Sequence, residues 1–100
     1  MYMKDIPILH KKMIKLGDGY HFRIPAQYIS NGLVNVGDKI NVRIMEKSVL
    51  IVILNDLLVR TSGKSFYFSI PTAEIKDGNL YKDYHYDLFI TPISTGTPDY

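Results

Sequence analysis

The sequence contains no cysteine, so it offers no disulfide, no thiolate ligand for zinc and no cysteine nucleophile. Long hydrophobic runs are also lacking. The longest, residues 49–54 (VLIVIL), is far shorter than the ~20 apolar residues of a membrane-spanning helix. Charged residues interrupt the N-terminal segment from Lys4 onwards, where a secretory signal would need an apolar stretch. We therefore expect a cytoplasmic protein with no membrane partner.

The residue types that usually carry catalysis or bind metals do not form a familiar pattern. His10, His21 and His85 are scattered, and none has an acidic partner at the spacing of metal ligands. The Gly-Lys-Ser of residues 63–65 lacks the preceding glycine of a phosphate-binding loop, and no long helix follows it. No nucleophile elbow is present. The sequence thus predicts no catalytic residue, no metal and no cofactor, and we do not expect an enzyme.

Positive charge is concentrated in one part of the chain. Residues 1–55 contain eight Lys/Arg and four Asp/Glu, whereas residues 56–100 contain four and six. The balances of +4 and −2 add up to the overall net charge of +2. A basic region is compatible with binding to nucleic acid, and equally with an ordinary solvated surface.

The strongest signal in the sequence is an internal repeat. Residues 17–25 (GDGYHFRIP) recur as residues 63–71 (GKSFYFSIP), forty-six residues later and without a gap. The register continues further along the chain, where Ile29, Gly32 and Ile44 match Ile75, Gly78 and Ile90. Two units of about 45 residues are each too small to bury a stable core alone. We therefore expect the two units to pack against each other around one core and to be related by a pseudo-two-fold axis.

Each unit reads as a strand, a glycine turn, a strand, a short helix after Ile-Pro, a glycine and a further strand. For the first unit the predicted strands are residues 12–16, 20–24, 39–45 and 49–54, with a helix over 25–30. For the second they are residues 57–61, 65–70 and 84–90, with a helix over 71–76. The uninterrupted apolar run 49–54 is typical of a strand buried on both faces.

The second unit has no counterpart of strand 49–54. We predict that the strand-like segment 3–9 takes that place, because an open sheet edge would otherwise remain. Residues 91–100 are rich in proline, glycine, serine and threonine, and we expect a mobile tail. The predicted organisation is residues 1–54 as the N-terminal strand plus first repeat, residues 55–90 as a degenerate second repeat, and the tail.

This order of elements resembles the AbrB/SpoVT family of swapped-hairpin DNA-binding proteins. The matching residues are 16–19 (LGDG), 23–26 (RIPA) and 33–40 (LVNVGDKI), and the Ile-Pro match occurs twice. The resemblance implies a mainly β protein: a small pseudo-two-fold swapped-hairpin β-barrel from two repeats, each with a single-turn helix. Because both repeats lie in one chain, a single chain would form the folded unit. An SH3-like or OB-like barrel without the swap is the alternative.

The resemblance also implies that the protein binds double-stranded DNA as a transcriptional regulator, through basic side chains near Ile-Pro. The first repeat offers Lys12, Lys15, His21, Arg23, Lys39 and Arg43 as DNA-binding residues. The second offers Arg60 and Lys64 as secondary contacts. Since the basic pattern is fuller in the first repeat, we expect that repeat to carry the function.

Tyrosine is abundant, with eight residues in the chain, and Tyr67, Tyr81, Tyr84 and Tyr86 crowd the second unit. These side chains are compatible with stacking on bases, with a protein-binding patch or with the wall of the fold. The alternative function is therefore a protein-interaction module that keeps the barrel and has lost DNA binding. Such a surface would also allow a homodimer through the tyrosine-rich second repeat.

Overall fold

The computed structural model describes residues 5–93, and strands account for most of them. This confirms the prediction of a mainly β protein. The elements, in chain order, are β1 (Ile6–Lys12), β2 (Ile14–Leu16), β3 (Gly19–Ile24), α1 (Ala26–Ser30), β4 (Lys39–Glu46), β5 (Val49–Leu58), β6 (Arg60–Ser62), β7 (Ser65–Ile70), α2 (Thr72–Lys76) and β8 (His85–Pro92).

The strands form two antiparallel sheets of four strands each. Sheet A has the order β1-β8-β4-β5, and sheet B has the order β2-β3-β7-β6. In sheet B the neighbours β3 and β7 come from different halves of the chain, as do β4 and β8 in sheet A. The two halves are therefore joined by strand pairing in the middle of both sheets.

The elements recur at the spacing of the sequence repeat. β2, β3, α1 and β4 begin and end 46 residues before β6, β7, α2 and β8, respectively. β1 likewise begins and ends 46 residues before residues 52–58, which form the last part of β5. Both strands contain one residue with positive φ at the equivalent position. These residues are His10 and Asp56, each with a φ of 58°. The backbone thus repeats over a longer stretch than the sequence match.

The core lies between the inward faces of the two sheets. Phe22 and Phe68 pair across β3 and β7 and are fully buried, and Phe22 also packs edge-on against Tyr86 of sheet A at 6.4 Å between ring centroids. The chain passes from sheet A to sheet B at Met13 and again at Val59, and both corner residues are buried. One continuous apolar cluster therefore holds both sheets together.

Each short helix follows an Ile-Pro pair and stops at a glycine. Pro25 and Pro71 occupy the N-cap positions. Gly32 and Gly78 have φ of +74° and +77°, a conformation in which glycine ends helices without strain, as predicted for Gly32. Neither helix is nearly long enough to cross a membrane, and no other helix occurs within residues 5–93.

The N-terminal strand takes the edge position that the sequence predicted, but it covers Ile6–Lys12 and not residues 3–9. β1 pairs with β8, with Ile6 opposite Ile90 and Ile8 opposite Leu88. It thereby flanks β8 as β5 flanks β4, which confirms that the N-terminal segment replaces the strand missing after the second unit. Residues 3 and 4 of that predicted strand lie outside the described residues.

The prediction that residues 49–54 are buried on both faces is wrong. They form the first part of β5, an edge strand of sheet A, and Val49, Leu50 and Ile53 are exposed. The strand also does not end at residue 54, because a bulge with Asp56 at positive φ lets it continue to Leu58. Residues 57–58 of the predicted strand 57–61 therefore belong to β5, and the next strand begins at Arg60. At the other end, β8 runs through Pro92 into the predicted tail, of which residues 94–100 lie outside the described residues.

Candidate nucleic-acid interface

The face of sheet B that points away from the core carries a cluster of polar and basic side chains. On β3 the buried Phe22 and Ile24 alternate with His21 and Arg23, so the latter two side chains lie on the outer face. Their cross-strand neighbours on β7 are Ser69 and Tyr67, respectively. This outer face is built from both halves of the chain, because β3 and β7 lie side by side.

One row of side chains across this face contains two cations and an aromatic ring. Arg23 of β3 lies opposite Tyr67 of β7, and Tyr67 in turn lies opposite Arg60 of β6. Directly opposed residues in antiparallel strands have Cβ atoms about 5 Å apart, so the three side chains are neighbours. Both arginines are exposed and the tyrosine is half-buried. We call Arg23, Tyr67 and Arg60 the arginine–tyrosine row.

The adjacent row contains no arginine or lysine, and hydrogen bonds fix its histidine. It consists of Ile14, His21 and Ser69. One ring nitrogen of His21, Nδ1, lies 2.9 Å from the Ser69 hydroxyl oxygen, and the other, Nε2, lies 3.3 Å from the carbonyl oxygen of Leu16. The His21 ring also meets the Tyr67 ring edge-on, at 4.9 Å between centroids. His21 is therefore a buried support for Tyr67 rather than a side chain reaching into solvent.

The two rows differ in what they can bind. Two guanidinium groups present several N–H donors and a permanent positive charge, which suits phosphate oxygens. The Tyr67 hydroxyl both donates and accepts a hydrogen bond, and its ring offers an apolar surface. The row of Ile14, His21 and Ser69 contains no arginine or lysine, and both ring nitrogens of His21 already have hydrogen-bond partners within the protein. The anion-binding capacity of this face is thus concentrated in the arginine–tyrosine row.

The remaining predicted residues of the hairpins lie outside the arginine–tyrosine row. Lys64 is in the turn between β6 and β7 and is exposed. Lys15 is opposite Tyr20, whose alternation with His21 puts both side chains on the opposite side of the hairpin from Arg23. Lys12 ends β1 in sheet A, opposite His85 of β8.

Lys39 and Arg43 belong to a different surface. Both alternate with buried residues of β4 and so lie on the outer face of sheet A, away from sheet B. Arg43 forms an ion pair with Asp5, and its guanidinium carbon lies 5.3 Å from the centroid of the Phe89 ring. Asp5 also accepts a hydrogen bond from the Thr91 hydroxyl at 2.6 Å. The structure therefore does not bring the eight predicted DNA-binding residues together.

Tyr67 belongs to this row but is not among the predicted DNA-binding residues. The sequence predicts the same roles for it as for Tyr81, Tyr84 and Tyr86, although its surroundings differ from theirs. The signal lay in the repeat itself. If the two equivalent strands pair antiparallel around Phe22 and Phe68, Arg23 falls opposite Tyr67.

The other tyrosines form a separate cluster. Tyr81 and Tyr84 are exposed, with ring centroids 5.0 Å apart. Tyr86 is buried, and its hydroxyl oxygen accepts a hydrogen bond from the backbone N–H of Tyr81 at 2.8 Å. Burial raises the pKa of Tyr86 above the ordinary tyrosine value, and this hydrogen bond opposes the shift. Tyr86 is thus part of the core, whereas Tyr81 and Tyr84 belong to the surface.

Polar side chains also surround a cleft of about 310 Å³ in sheet A, where β4 ends and β8 begins. The rings of His10 and His85 stack there at 4.2 Å between centroids, beside Glu46 and Asp87. The backbone N–H of His10 donates to Asp87 at 2.9 Å. Across residues 5–93, however, no three His, Cys, Asp or Glu side chains are grouped so that they could hold a metal ion.

Comparisons with protein-family models, with curated proteins and with solved structures find no match for this chain. The resemblance to the AbrB/SpoVT family therefore rests on the sequence motifs, and the function has to be argued from the geometry of the chain itself.

Proposed function

We propose that this protein is a DNA-binding transcriptional regulator that contacts double-stranded DNA through the outer face of sheet B. The observation that carries the proposal is the arginine–tyrosine row, in which two exposed arginines lie on one sheet surface, on either side of Tyr67. Cationic side chains that neutralise phosphates supply much of the affinity of proteins for DNA. Such a function would place the protein in the compartment that holds the DNA, and we propose the cytoplasm.

The fold proposed with this function is a single-chain swapped-hairpin barrel. Three observations support it: the 46-residue spacing of the elements, the pairing of β3 with β7 between the halves, and β1 beside β8 in the place that β5 takes beside β4. In such a barrel the two Ile-Pro turns are related by a pseudo-two-fold axis. The axis would pass near the Phe22–Phe68 pair, since equivalent residues face each other there.

Within this proposal the contact residues are fewer than the sequence suggested. Arg23 and Arg60 would bind phosphate groups, and Lys64 would add charge from the neighbouring turn. Lys39 and Arg43 lie on the outer face of sheet A, where Arg43 is already paired with Asp5. A duplex bound to sheet B would not reach them.

The experiment that tests the proposal compares two double variants, each lacking two positive charges. R23A/R60A removes both cations of the arginine–tyrosine row, and K39A/R43A removes two from sheet A. Binding to duplex DNA is measured by fluorescence anisotropy over a range of salt concentrations. For R23A/R60A we expect the slope of log K against log salt to become shallower by roughly 2, because about 0.9 counterion is released per phosphate contact.

For K39A/R43A we expect the salt slope of the unaltered protein. Equal losses in the two double variants would mean that net charge alone drives binding and would contradict a specific face. If the unaltered protein does not bind duplex DNA at low salt, the proposed function is wrong.

A second candidate function, a protein-interaction module, is favoured by the outer face of sheet A. Leu9, Leu50 and Ile53 are between 48 and 59 % exposed there, and the charge of Arg43 is neutralised by Asp5. Tyr81 and Tyr84 add exposed aromatic surface, which is common at interfaces. A protein that flows through a heparin column at low salt and has a dimeric mass by light scattering would support this second function.

A further inference from the structure

Tyr67 occupies the centre of the arginine–tyrosine row, and a neighbouring ring packs against its own. The His21 ring meets it edge-on, with an angle of 77° between the ring planes. His21 is itself held at both nitrogens, by the Ser69 hydroxyl and the Leu16 carbonyl oxygen. A half-buried ring with such a neighbour has little freedom to turn away, so its hydroxyl is presented at a defined place on the face.

The width of the row matches the groove of a duplex. Arg23 and Arg60 lie on β3 and β6, with β7 between them, so two strand spacings separate them. That distance is about 10 Å, compared with a major groove of about 12 Å in B-DNA. If the row enters the groove, the two arginines lie against its walls, which are made of phosphates, and Tyr67 lies over the base edges.

The chemistry of the three side chains assigns them different tasks. A guanidinium against a phosphate positions the protein without reading sequence. The Tyr67 hydroxyl, as donor and acceptor, can distinguish the patterns of donors and acceptors that base pairs present in the major groove. The adjacent row has Ile14, His21 and Ser69 at the equivalent sites, and its one ring is buried and hydrogen-bonded within the protein.

We propose that Tyr67 is a specificity-determining residue that contacts a base edge in the major groove, while Arg23 and Arg60 bind the flanking phosphates. His21 is its positioning residue. This inference rests on the proposed function and adds to it the residue that reads sequence. It also means that one row, and therefore one end of the sheet B face, reads the DNA in each chain.

The test is a comparison of Y67F with the unaltered full-length chain. The preferred duplex is first selected from a random-sequence library with the unaltered protein. Affinities are then measured for that duplex and for a scrambled duplex of the same composition. We expect Y67F to keep its affinity for the scrambled duplex within about twofold and to lose about tenfold in preference, as for one mismatched base pair. Y81F, which alters an exposed tyrosine outside sheet B, should behave like the unaltered protein.

The outcomes separate this inference from the proposed function. If the unaltered protein binds duplex DNA and Y67F keeps the full preference, Tyr67 does not read sequence and only the inference is wrong. Binding without any preference between duplexes has the same meaning, because there is then no sequence to read. If the unaltered chain does not bind duplex DNA, both the inference and the proposed function fail.

Discussion

The two halves of this chain, residues 6–46 and 52–92, have the same elements at the same spacing but different surfaces. Several buried positions carry the same residue in both: Phe22 and Phe68, Ile24 and Ile70, Ile44 and Ile90. On the outer face of sheet B the equivalents differ: His21 and Tyr67, Arg23 and Ser69. The difference teaches that the shared core restricts the inward residues, whereas the outward ones were free to change.

The same comparison shows why the candidate site cannot be assigned to one half. Because β3 and β7 are neighbours, Arg23 of the first half lies beside Tyr67 of the second, and Arg60 follows on β6. The sequence-based expectation placed the function in the basic first repeat. In the sheet, the arginine–tyrosine row takes one residue from the first half and two from the second.

The largest effect is expected from truncating the central aromatic pair. Phe22 and Phe68 are both fully buried, with ring centroids 5.9 Å apart. F22A and F68A should each lower the free energy of unfolding by about 3–5 kcal/mol, since each leaves a cavity in the shared core. Urea unfolding followed by circular dichroism measures the loss. A cost below about 1 kcal/mol for only one of them would show that the halves do not contribute equally to one core.

The next prediction compares the two edge strands of sheet A. Ile8 of β1 and Leu54 of β5 are 3 % and 5 % exposed and occupy equivalent positions. I8A and L54A should each cost about 2–3 kcal/mol in urea unfolding. L9A, at an exposed neighbouring position, is the control and should cost less than about 0.5 kcal/mol. An I8A protein as stable as L9A would mean that β1 is not part of the cooperative fold.

A smaller effect is expected at the glycines that end the two helices. Gly32 and Gly78 have positive φ, and an added Cβ would meet nothing closer than 3.8 Å at either site. G32A and G78A should therefore each cost about 1–2 kcal/mol through backbone strain alone. G32N should lose less, because asparagine tolerates this conformation better. A G78A loss much larger than the G32A loss would show that an added Cβ at Gly78 clashes with a neighbouring group, so that backbone strain alone does not determine the cost.

The smallest expected effect concerns pH and distinguishes Tyr86 from its equivalent Ile40, which does not ionise. Burial raises the pKa of Tyr86 in the folded chain above the ordinary value of 10.0. The neutral form is therefore favoured by folding, and the stability it contributes is complete below pH 10.0 and is lost as pH rises further. Urea unfolding between pH 8 and pH 11 should show a shallower decline for Y86F than for the unaltered chain. An equally steep decline in the two proteins would contradict the raised pKa of Tyr86.

Much of the local structure could be predicted from the sequence. The period-two alternation at Phe22 and Ile24, the Ile-Pro pairs and the glycines after them mark strands and helices within a residue or two. The exposure of residues 49–54 could not be predicted, because an apolar run does not reveal whether its strand is central or at an edge of the sheet. The bulge at Asp56 could not be predicted from the sequence, because its position depends on the register with which β5 pairs with β4.

The sequence by itself determined that this protein is mainly β, that its elements recur after 46 residues and that its N-terminal strand completes the second half. Those features follow from local periodicity, turn residues and the need to bury apolar faces, all of which are written in the order of the residues. Only the tertiary structure decided which charges are neighbours. Register across β3, β7 and β6 puts Arg23, Tyr67 and Arg60 in one row, and it puts Lys39 and Arg43 on the far side of the molecule. The physical reason is that strand alternation assigns each side chain to a face, while pairing between distant strands assigns its neighbours.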